Sequence, residues 1–374
     1  MGYENNEVDI YNSILFGMFA SGLFLGTPVF GVLSDRYQSR KTPMLIGLVA
    51  LSVMTIVFAL SKSLAALIFA RILQGKHVRR HFLGVSAAAS WVIGLALLAD
   101  VIPKEKLGVA MGIVLSGHTL GYLLGPVVGG VMGQYISTAS PFYVCAFLAL
   151  LDFFGRLYIQ PQVIQNYESS ISQKSSIVRL ISIPQIWIYG IAVLLGSCSF
   201  SAFEGIIAIY LKENFNLSEA ETGYMFIAAI VPNIIVSTFV GHLSDKYDKY
   251  LIISIGMILH SLAAPLMMSC DSISTMIPAM SFFGASASVF NTPSMPEMAA
   301  IVHRYGFQAS NAQVYAIYNM CYSLGMLLAP IIAAYIKISF GSFWSLTAFS
   351  IATMMYLPIF YLSNAKIMNL FQNS

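Results

Sequence analysis

Charged residues are scarce in this chain. Asp, Glu, Lys and Arg make up 9% of its 374 residues, whereas hydrophobic residues make up 57%. Soluble domains carry about 25% charged residues, so this inventory cannot supply a water-facing surface, and the mean hydropathy of +0.77 agrees. The formal net charge is only +3, which argues against a nucleic-acid partner. Composition alone therefore indicates a protein whose surface lies largely in lipid.

Residue patterns for metal binding or enzyme chemistry are also lacking. The few cysteines all lie in apolar runs and none forms a CxxC pair, so no metal or redox site is indicated. We expect them to be buried small apolar residues. The sequence contains no His cluster, Ser/His/Asp set or phosphate-binding loop, so we expect neither an enzyme nor a cofactor. The cysteines are Cys145, Cys198, Cys270 and Cys321.

Long apolar segments dominate what is present. A helix that crosses a bilayer needs about 20 mostly apolar residues, and eleven segments meet this requirement, which predicts an all-α membrane protein. They are residues 11–33, 43–60, 64–101, 107–132, 141–160, 184–211, 222–243, 250–270, 274–302, 311–336 and 343–362. The polar connection 161–183 separates five spans from six. We therefore expect an N-terminal bundle over 1–160, a cytoplasmic linker over 161–183 and a C-terminal bundle over 184–374.

The distribution of Lys and Arg between alternate connections predicts the orientation of the chain in the membrane. The cations of one side are Arg36, Arg40, Lys41, Lys104, Lys106, Lys174, Arg179, Lys246, Lys249, Arg304 and Lys366. Those of the other side are Lys62, Lys212 and Lys337. The cation-rich side is therefore expected to be cytoplasmic, and residues 1–10 are expected on the outer face.

An internal repeat relates the two halves of the chain. Residues 31–37, GVLSDRY, recur as residues 241–247, GHLSDKY, a shift of 210 positions (241 − 31). A second echo relates residues 120–126 to residues 324–330. Residues 31–37 and residues 241–247 each end an apolar span and enter a loop on the same side of the membrane, which indicates a parallel repeat. Because the counterpart of residues 184–211 would precede Met1, we expect the first half to lack its first helix.

The first repeated segment carries an acidic residue and cations at a helix end. Asp35 can accept hydrogen bonds there or face the N-terminus of a neighbouring helix, while Arg36 and Arg40 hold the loop in the cytoplasm. Signalling of topology alone would explain the cations. The duplication of the pair favours a paired gate, formed by Gly31, Asp35, Arg36 and Arg40 in one copy and by Gly241, Asp245 and Lys246 in the other.

These segments resemble the motifs of the major facilitator superfamily. Residues 31–41 are similar to its loop motif after the second helix, residues 70–75 to its fourth-helix motif with an intramembrane arginine, and residues 121–130 to its fifth-helix antiporter motif. Within the superfamily the chain looks most like drug:proton antiporters and vesicular amine transporters, through residues 111–113, 150–152, 203–204 and 314–317. The resemblance implies two pseudo-symmetric helix bundles around one central cavity, with eleven spans here instead of twelve. It also implies proton-coupled export.

Ionisable side chains within apolar segments are candidates for proton coupling. A cation at a helix centre costs about 2.5–3.5 kcal/mol on insertion scales and is functional by default, which singles out Arg71. The resemblance assigns Arg71 and Gln74 to the fourth-helix motif; the alternative is an arginine that holds backbone carbonyls. Glu204 is the lone carboxylate of residues 184–211. A carboxyl group removed from water suits exchange between a proton and a cationic substrate, and a neutral, hydrogen-bonded Glu204 is the alternative.

Further candidates carry open alternatives. Asp152 precedes Arg156 by four residues, which also fits a simple i,i+4 ion pair. Asn291 and Asn319 stand where the resemblance implies aspartates, so two titratable groups are absent, although both amides can still bind substrate. Pro293 and Pro296 are expected to break the span near Asn291, as in transporter sites. Tyr315, Tyr318 and Tyr322 share one helical face and either pack in the core or line a cavity.

The glycine-rich segment is expected to pack closely against another helix. Its antiporter assignment rests on the resemblance alone, and its members are Gly121, Gly125, Pro126 and Gly129.

Residues 76–84 interrupt the third apolar segment with three cations and two histidines. Their burial would cost on the order of 10 kcal/mol if unpaired. We expect a foreign insertion, such as a retained intron; a functional basic patch for an anionic substrate or lipid headgroups is the alternative.

The sequence thus predicts a monomeric, multi-pass transporter of the plasma membrane or of a vacuolar or vesicular membrane. It would export a small organic, cationic or amphipathic solute in exchange for protons by alternating access. Its partners would be the solute, protons and the lipid bilayer. The competing hypotheses are a truncated or mis-spliced transporter without activity, a receptor or channel, and a membrane enzyme.

Overall fold

The computed structural model describes residues 11, 14–15, 17–18, 20–21, 24–25, 41–61, 67, 104–158, 177–244, 246–306 and 311–372. Every helix or strand within the described residues is an α-helix. The helices are α1 (Lys41–Leu60), α2 (Lys104–Tyr135), α3 (Ser140–Leu157), α4 (Ile177–Ile181), α5 (Pro184–Phe215), α6 (Glu219–Ser244), α7 (Lys249–Met268), α8 (Ile273–Asn291), α9 (Ser294–Arg304), α10 (Asn311–Phe340) and α11 (Ser342–Gln372).

Seven helical segments of the described part are long and apolar enough to cross a membrane. One is α3, and the other six lie in the region for which the sequence predicts six spans, with α8 and α9 forming a single span. Helix α1 adds a shorter apolar stretch, Leu45–Leu60. The predicted fold class, an all-α membrane protein, is confirmed. The predicted segments 11–33 and 64–101 lie largely outside the described residues.

The chain divides into two compact units, Ile14–Lys174 and one dominated by Ser175–Ser374. The boundary falls inside the predicted linker. In the first unit, α1 packs on α3, where Ser52 Oγ donates a hydrogen bond of 2.9 Å to the Ala146 carbonyl and the rings of Phe58 and Phe142 meet at 4.9 Å.

Helix ends in the second unit follow local sequence signals. Pro184 occupies the first turn of α5, where its missing N–H costs nothing. Asn216 ends α5 in the left-handed conformation, with φ of 52°. Ser218 and Glu221 then form a reciprocal capping box at the start of α6, with Glu221 accepting at 2.9 Å from the Ser218 N–H and Ser218 Oγ accepting at 3.3 Å from the Glu221 N–H. This box satisfies amides that a helix start leaves unpaired.

Helix α5 runs through the middle of the second unit. It packs along α10 and also contacts α11, while α8 packs on α6 and α7. Aromatic side chains fill the core: Phe203 of α5 stacks on Phe283 of α8 at 4.8 Å, and Tyr189 meets Phe360 of α11 edge-on at 5.1 Å. Large apolar side chains such as Leu262 and Phe239 are exposed on the outside, as expected for a surface that faces lipid.

The span over α8 and α9 is broken as the sequence predicts. Helix α8 ends at Asn291 and α9 begins at Ser294, with turn residues Thr292 and Pro293 between them. The break places the end of α8 and the Asn291 side chain inside the bundle, next to Gly196 of α5.

Candidate functional site

Glu204 lies two thirds of the way along α5, among buried residues. Its neighbours Phe203 and Gly205 are buried, whereas Glu204 itself is half-buried. Among the described residues its carboxyl group has no hydrogen-bond or ion-pair partner. A carboxylate in this setting is stabilised by whichever cation or proton reaches it, since the described residues supply no counter-charge there.

The position of α5 is fixed by close contacts with α10 along its length. A Cβ added at Gly190 would lie 3.1 Å from Cys321 Sγ, and one added at Gly205 would lie 3.4 Å from Pro330 Cβ. Between them, a Cβ at Gly325 would lie 2.8 Å from the Leu194 carbonyl oxygen. Small residues therefore let the two helices run side by side, which holds the Glu204 backbone rigidly in the bundle.

Asn291 brings a second unpaired polar atom to α5. Its Nδ2 donates at 3.0 Å to the Ala287 carbonyl, but its buried Oδ1 has no hydrogen-bond partner among the described residues. This oxygen faces Gly196, where an added Cβ would lie 2.5 Å from it. Glycine at 196 therefore makes room for the Asn291 amide, and an acceptor is left for a donor that the described protein does not provide.

His260 is a central polar residue that the sequence analysis missed. It is 1% exposed and joins three helices, with Nε2 2.9 Å from Ser199 Oγ on α5 and Nδ1 3.1 Å from Ser286 Oγ on α8. Ser286 Oγ donates its own hydrogen to the Phe283 carbonyl at 2.9 Å. With the Ser286 hydrogen placed in this way, Ser286 Oγ accepts from His260 Nδ1–H, and Nε2 accepts from the Ser199 hydroxyl.

This arrangement satisfies a neutral imidazole completely. A protonated ring would need Ser199 to turn its hydroxyl hydrogen elsewhere, because both ring nitrogens would then donate. The sequence signal was a lone histidine in the apolar segment 250–270, which becomes informative only when the two serines are seen beside it.

The structure describes the side chains of two of the three tyrosines that share one face of α10. Tyr318 and Tyr322 stack with centroids 6.4 Å apart and planes inclined by 11°, and both pack against the buried core. Asn319, between them in sequence, is half-buried. Tyr315 belongs to α10, but its side chain lies outside the described residues. These residues remain predicted substrate contacts.

The structure also describes the surroundings of Asp152 and of the cysteines. Asp152 pairs with Arg156 at 2.8 Å, with 44% of the Asp152 side chain exposed, which agrees with the simpler of its two interpretations. The expectation that all cysteines are buried is wrong, because Cys145 is exposed and only Cys198 is fully buried. An apolar segment in lipid has no need to bury its small residues, so apolar surroundings in the sequence do not indicate burial.

The glycine-rich face of α2 makes no close contact with a described neighbour. A Cβ added at Gly121, Gly125 or Gly129 would meet no heavy atom within 4 Å, so the predicted close packing is not seen within the described part of the chain. Pro126 lies inside the same helix.

Two residues of the predicted gate, Gly241 and Lys246, lie within the described part of the chain. Gly241 lies in the last turn of α6, and a Cβ added there would meet no heavy atom within 4 Å. Lys246 is an exposed turn residue. The remaining candidates lie outside the described residues: Gly31, Asp35, Arg36, Arg40, Arg71, Gln74, Asp245 and the segment 76–84.

Ion pairs mark both ends of the second unit. At one end Lys337 Nζ binds Glu213 Oε2 at 2.9 Å, which ties α10 to α5. At the other end Glu297 of α9 binds Arg304 at 2.6 Å and Lys249 of α7 at 3.5 Å. The charges thus sit where the apolar helices end, and Glu204 stands apart from them.

Long apolar helices packed around unpaired polar groups define a multi-pass membrane transporter. The chain belongs to the Major Facilitator Superfamily, whose family model matches residues 9–296 and 189–366. This confirms the predicted family.

Several proteins that are similar to this chain in sequence are also named as transporters. An uncharacterized MFS-type transporter of Schizosaccharomyces pombe is 26% identical, over 94% of this chain and 86% of its own length. The human synaptic vesicular amine transporter is 27% identical over 95% of this chain, and the human vesicular acetylcholine transporter is 25% identical over 96%. The chain spans 66% of the length of each of these two vesicular transporters.

Solved structures show the same fold at low identity. The human organic anion transporter MFSD10 superposes with a TM-score of 0.69 at 18% identity, covering 96% of this chain and 86% of that one. The nucleoside transporter NupG superposes with a TM-score of 0.71 at 12% identity, covering 96% and 94%.

Proposed function

We propose that this protein exports a small organic cation, or a cationic amphipathic solute, in exchange for protons by alternating access. The observation that carries the proposal is Glu204, a half-buried carboxyl group of α5 without a protein partner among the described residues. One such group can bind either a proton or a cationic substrate. Competition between the two for a single carboxylate is sufficient to couple their movements in opposite directions.

The charge inventory of the second unit favours a cation over an anion. Apart from Glu204 and Glu297, the apolar segments 184–211, 222–243, 250–270, 274–302, 311–336 and 343–362 contain no Asp, Glu, Lys or Arg. Glu297 is already paired with Arg304 and Lys249. An anionic solute would find no cation there to replace its hydration, whereas a cation would find the Glu204 carboxylate and the free Asn291 oxygen. The stacked Tyr318 and Tyr322 rings add aromatic faces, which attract cations.

The relatives support the same substrate class. Two of the relatives found by sequence, at 27% and 25% identity, are named as amine and acetylcholine transporters of vesicles, and both cargoes are organic cations. Exchange would serve export at any plasma, vacuolar or vesicular membrane whose far side is more acidic than the cytoplasm.

Purified protein in proteoliposomes tests the proposal. Liposomes with an acidic lumen should accumulate fluorescent quaternary ammonium cations, which cannot cross the bilayer as neutral bases, and a protonophore should abolish the accumulation. A fluorescent organic anion of similar size is the matched control and should not accumulate. Gradient-independent uptake, or accumulation of the anion in preference to the cations, would contradict the proposal.

A further inference from the structure

A polar cavity lies at the end of the C-terminal unit where α5 and α7 begin and α9 ends. Its volume is about 130 Å³. The Lys and Arg distribution predicts that this end faces the cytoplasm. The polar side chains of its lining include Gln185, Asp248, Lys249, Glu297, Arg304 and Asn364.

Gln185 gives the cavity an unsatisfied acceptor. The residue is 4% exposed, and its Oε1 has no hydrogen-bond partner among the described residues. Leaving such an atom unpaired costs about 1–3 kcal/mol, so a ligand that donates a hydrogen bond gains by binding. Asn364 supplies another amide at the wall, and its own Nδ2 is already committed to the Phe360 carbonyl at 2.8 Å.

The charges around the cavity are balanced. Two carboxylates, Asp248 and Glu297, face two cations, Lys249 and Arg304. The Lys249 and Arg304 side chains are 25% and 49% exposed, whereas Glu297 is 9% exposed. The mouth therefore carries the Arg304 guanidinium together with the exposed Asp248 carboxylate, and the buried acceptors of Gln185 and Glu297 lie deeper. A ligand that carried only positive or only negative charge would therefore meet side chains of its own sign in this cavity.

The N-terminus of α7 lies on the positive side of the cavity. Lys249 is the first residue of this helix, and its N-cap residue Asp248 makes no side-chain capping hydrogen bond. The positive end of α7 therefore adds to Lys249 and Arg304, and helix N-termini bind anionic groups such as phosphate.

We propose that this cavity binds a zwitterion with a primary ammonium and a phosphate group. The ammonium donates to Gln185 Oε1 in the interior, and the phosphate lies at the mouth beside Lys249 and Arg304. A phosphoethanolamine group has this chemistry, whether as a free solute or as the headgroup of a phospholipid. Phosphocholine is the discriminating analogue, because its trimethylated nitrogen carries the same charge but has no N–H to donate.

Thermal unfolding of the purified full chain in detergent tests the site without relying on transport. Free phosphoethanolamine should raise the melting temperature saturably, and phosphocholine should need at least a tenfold higher concentration for the same effect. Gln185→Leu, which keeps the size of the side chain, should abolish the preference. Gln185→Glu keeps an acceptor and should retain it, which guards against a variant that fails to fold. Arg179→Gln changes an exposed cation outside the cavity and should bind as the parent does.

Nanodiscs distinguish the two sources of the ligand. If the headgroup is the ligand, phosphatidylethanolamine in a phosphatidylcholine bilayer should stabilise the parent chain but not Gln185→Leu, and free phosphoethanolamine should add nothing further. If the ligand is a free solute, phosphoethanolamine should stabilise the chain in phosphatidylcholine alone. Equal responses to both zwitterions, or a preference that survives in Gln185→Leu, would show that Gln185 does not select a primary ammonium and would overturn the proposal.

Discussion

The crossing of α6 and α8 depends on the absence of a side chain at Gly284. A Cβ added there would lie 2.7 Å from the carbonyl carbon of Ala229 and closer still to its oxygen. Both atoms belong to the backbone, so no rotamer change relieves the overlap and the helices must separate. Two hydrogen bonds sit at the same crossing: Asn233 Nδ2 donates to the Gly284 carbonyl at 3.0 Å, and Ser288 Oγ donates to the Asn233 carbonyl at 2.6 Å.

We predict that Gly284→Ala destabilises the protein by about 2–4 kcal/mol. Overpacking of a filled interior costs about 1–3 kcal/mol, and each interhelical hydrogen bond lost in a membrane protein adds about 0.6 kcal/mol. For a soluble domain of similar size each kcal/mol lowers the melting temperature by about 2–4 °C. A fall of roughly 5–15 °C should follow, measured in detergent at one fixed scan rate, since such unfolding is governed by rate.

The controls separate overlap from hydrogen bonding. Gly155→Ala places a Cβ in open space on α3 and should melt as the parent does or slightly higher. Asn233→Leu removes the bond to the Gly284 carbonyl without adding overlap and should cost about 0.6 kcal/mol. If Gly284→Ala melts with the parent, α6 and α8 do not approach each other as described.

Two further predictions concern polar pairs of the C-terminal unit. His260→Phe keeps the ring against Phe283 but removes both hydrogen bonds to the serines, so it should lower the free energy of unfolding by about 1–3 kcal/mol. A thermal double-mutant cycle with Ser199→Ala should show coupling between the two sites. Strictly additive effects would count against the hydrogen bond between His260 and Ser199. Lys337→Met should cost less than about 1 kcal/mol, because its pair with the one-third-exposed Glu213 is partly solvated; the same melts at low and high salt should show the loss shrinking with salt, and a large, salt-independent loss would refute this.

Features could be predicted from the sequence where the effect of one residue does not depend on what packs against it. A carboxylate in an apolar run is costly wherever the helices pack, so Glu204 could be singled out before its surroundings were known. Pro293 cannot continue a helix ladder, so the break after Asn291 was predictable as well.

Reasoning failed where the meaning depends on a distant partner. His260 matters because Ser199 and Ser286 stand 61 and 26 residues away in the chain, and no local pattern joins them. Gly284 was not singled out because the need for glycine arises only at the crossing with Ala229. Burial of Cys145 was predicted wrongly because apolar residues in a membrane protein face either the core or the lipid, and one sequence does not distinguish these two environments.

The role of Glu204 is tested most directly by removing its charge without changing its shape. Glu204→Gln should fold as the parent does and should lose the accumulation of organic cations that an acidic lumen drives in proteoliposomes. Glu213→Gln, which alters the exposed end of the same helix, is the matched control and should keep it. If Glu204→Gln accumulates cations to the same level as the parent, with the same sensitivity to a protonophore, then this carboxyl group does not couple protons to transport and the central claim is wrong.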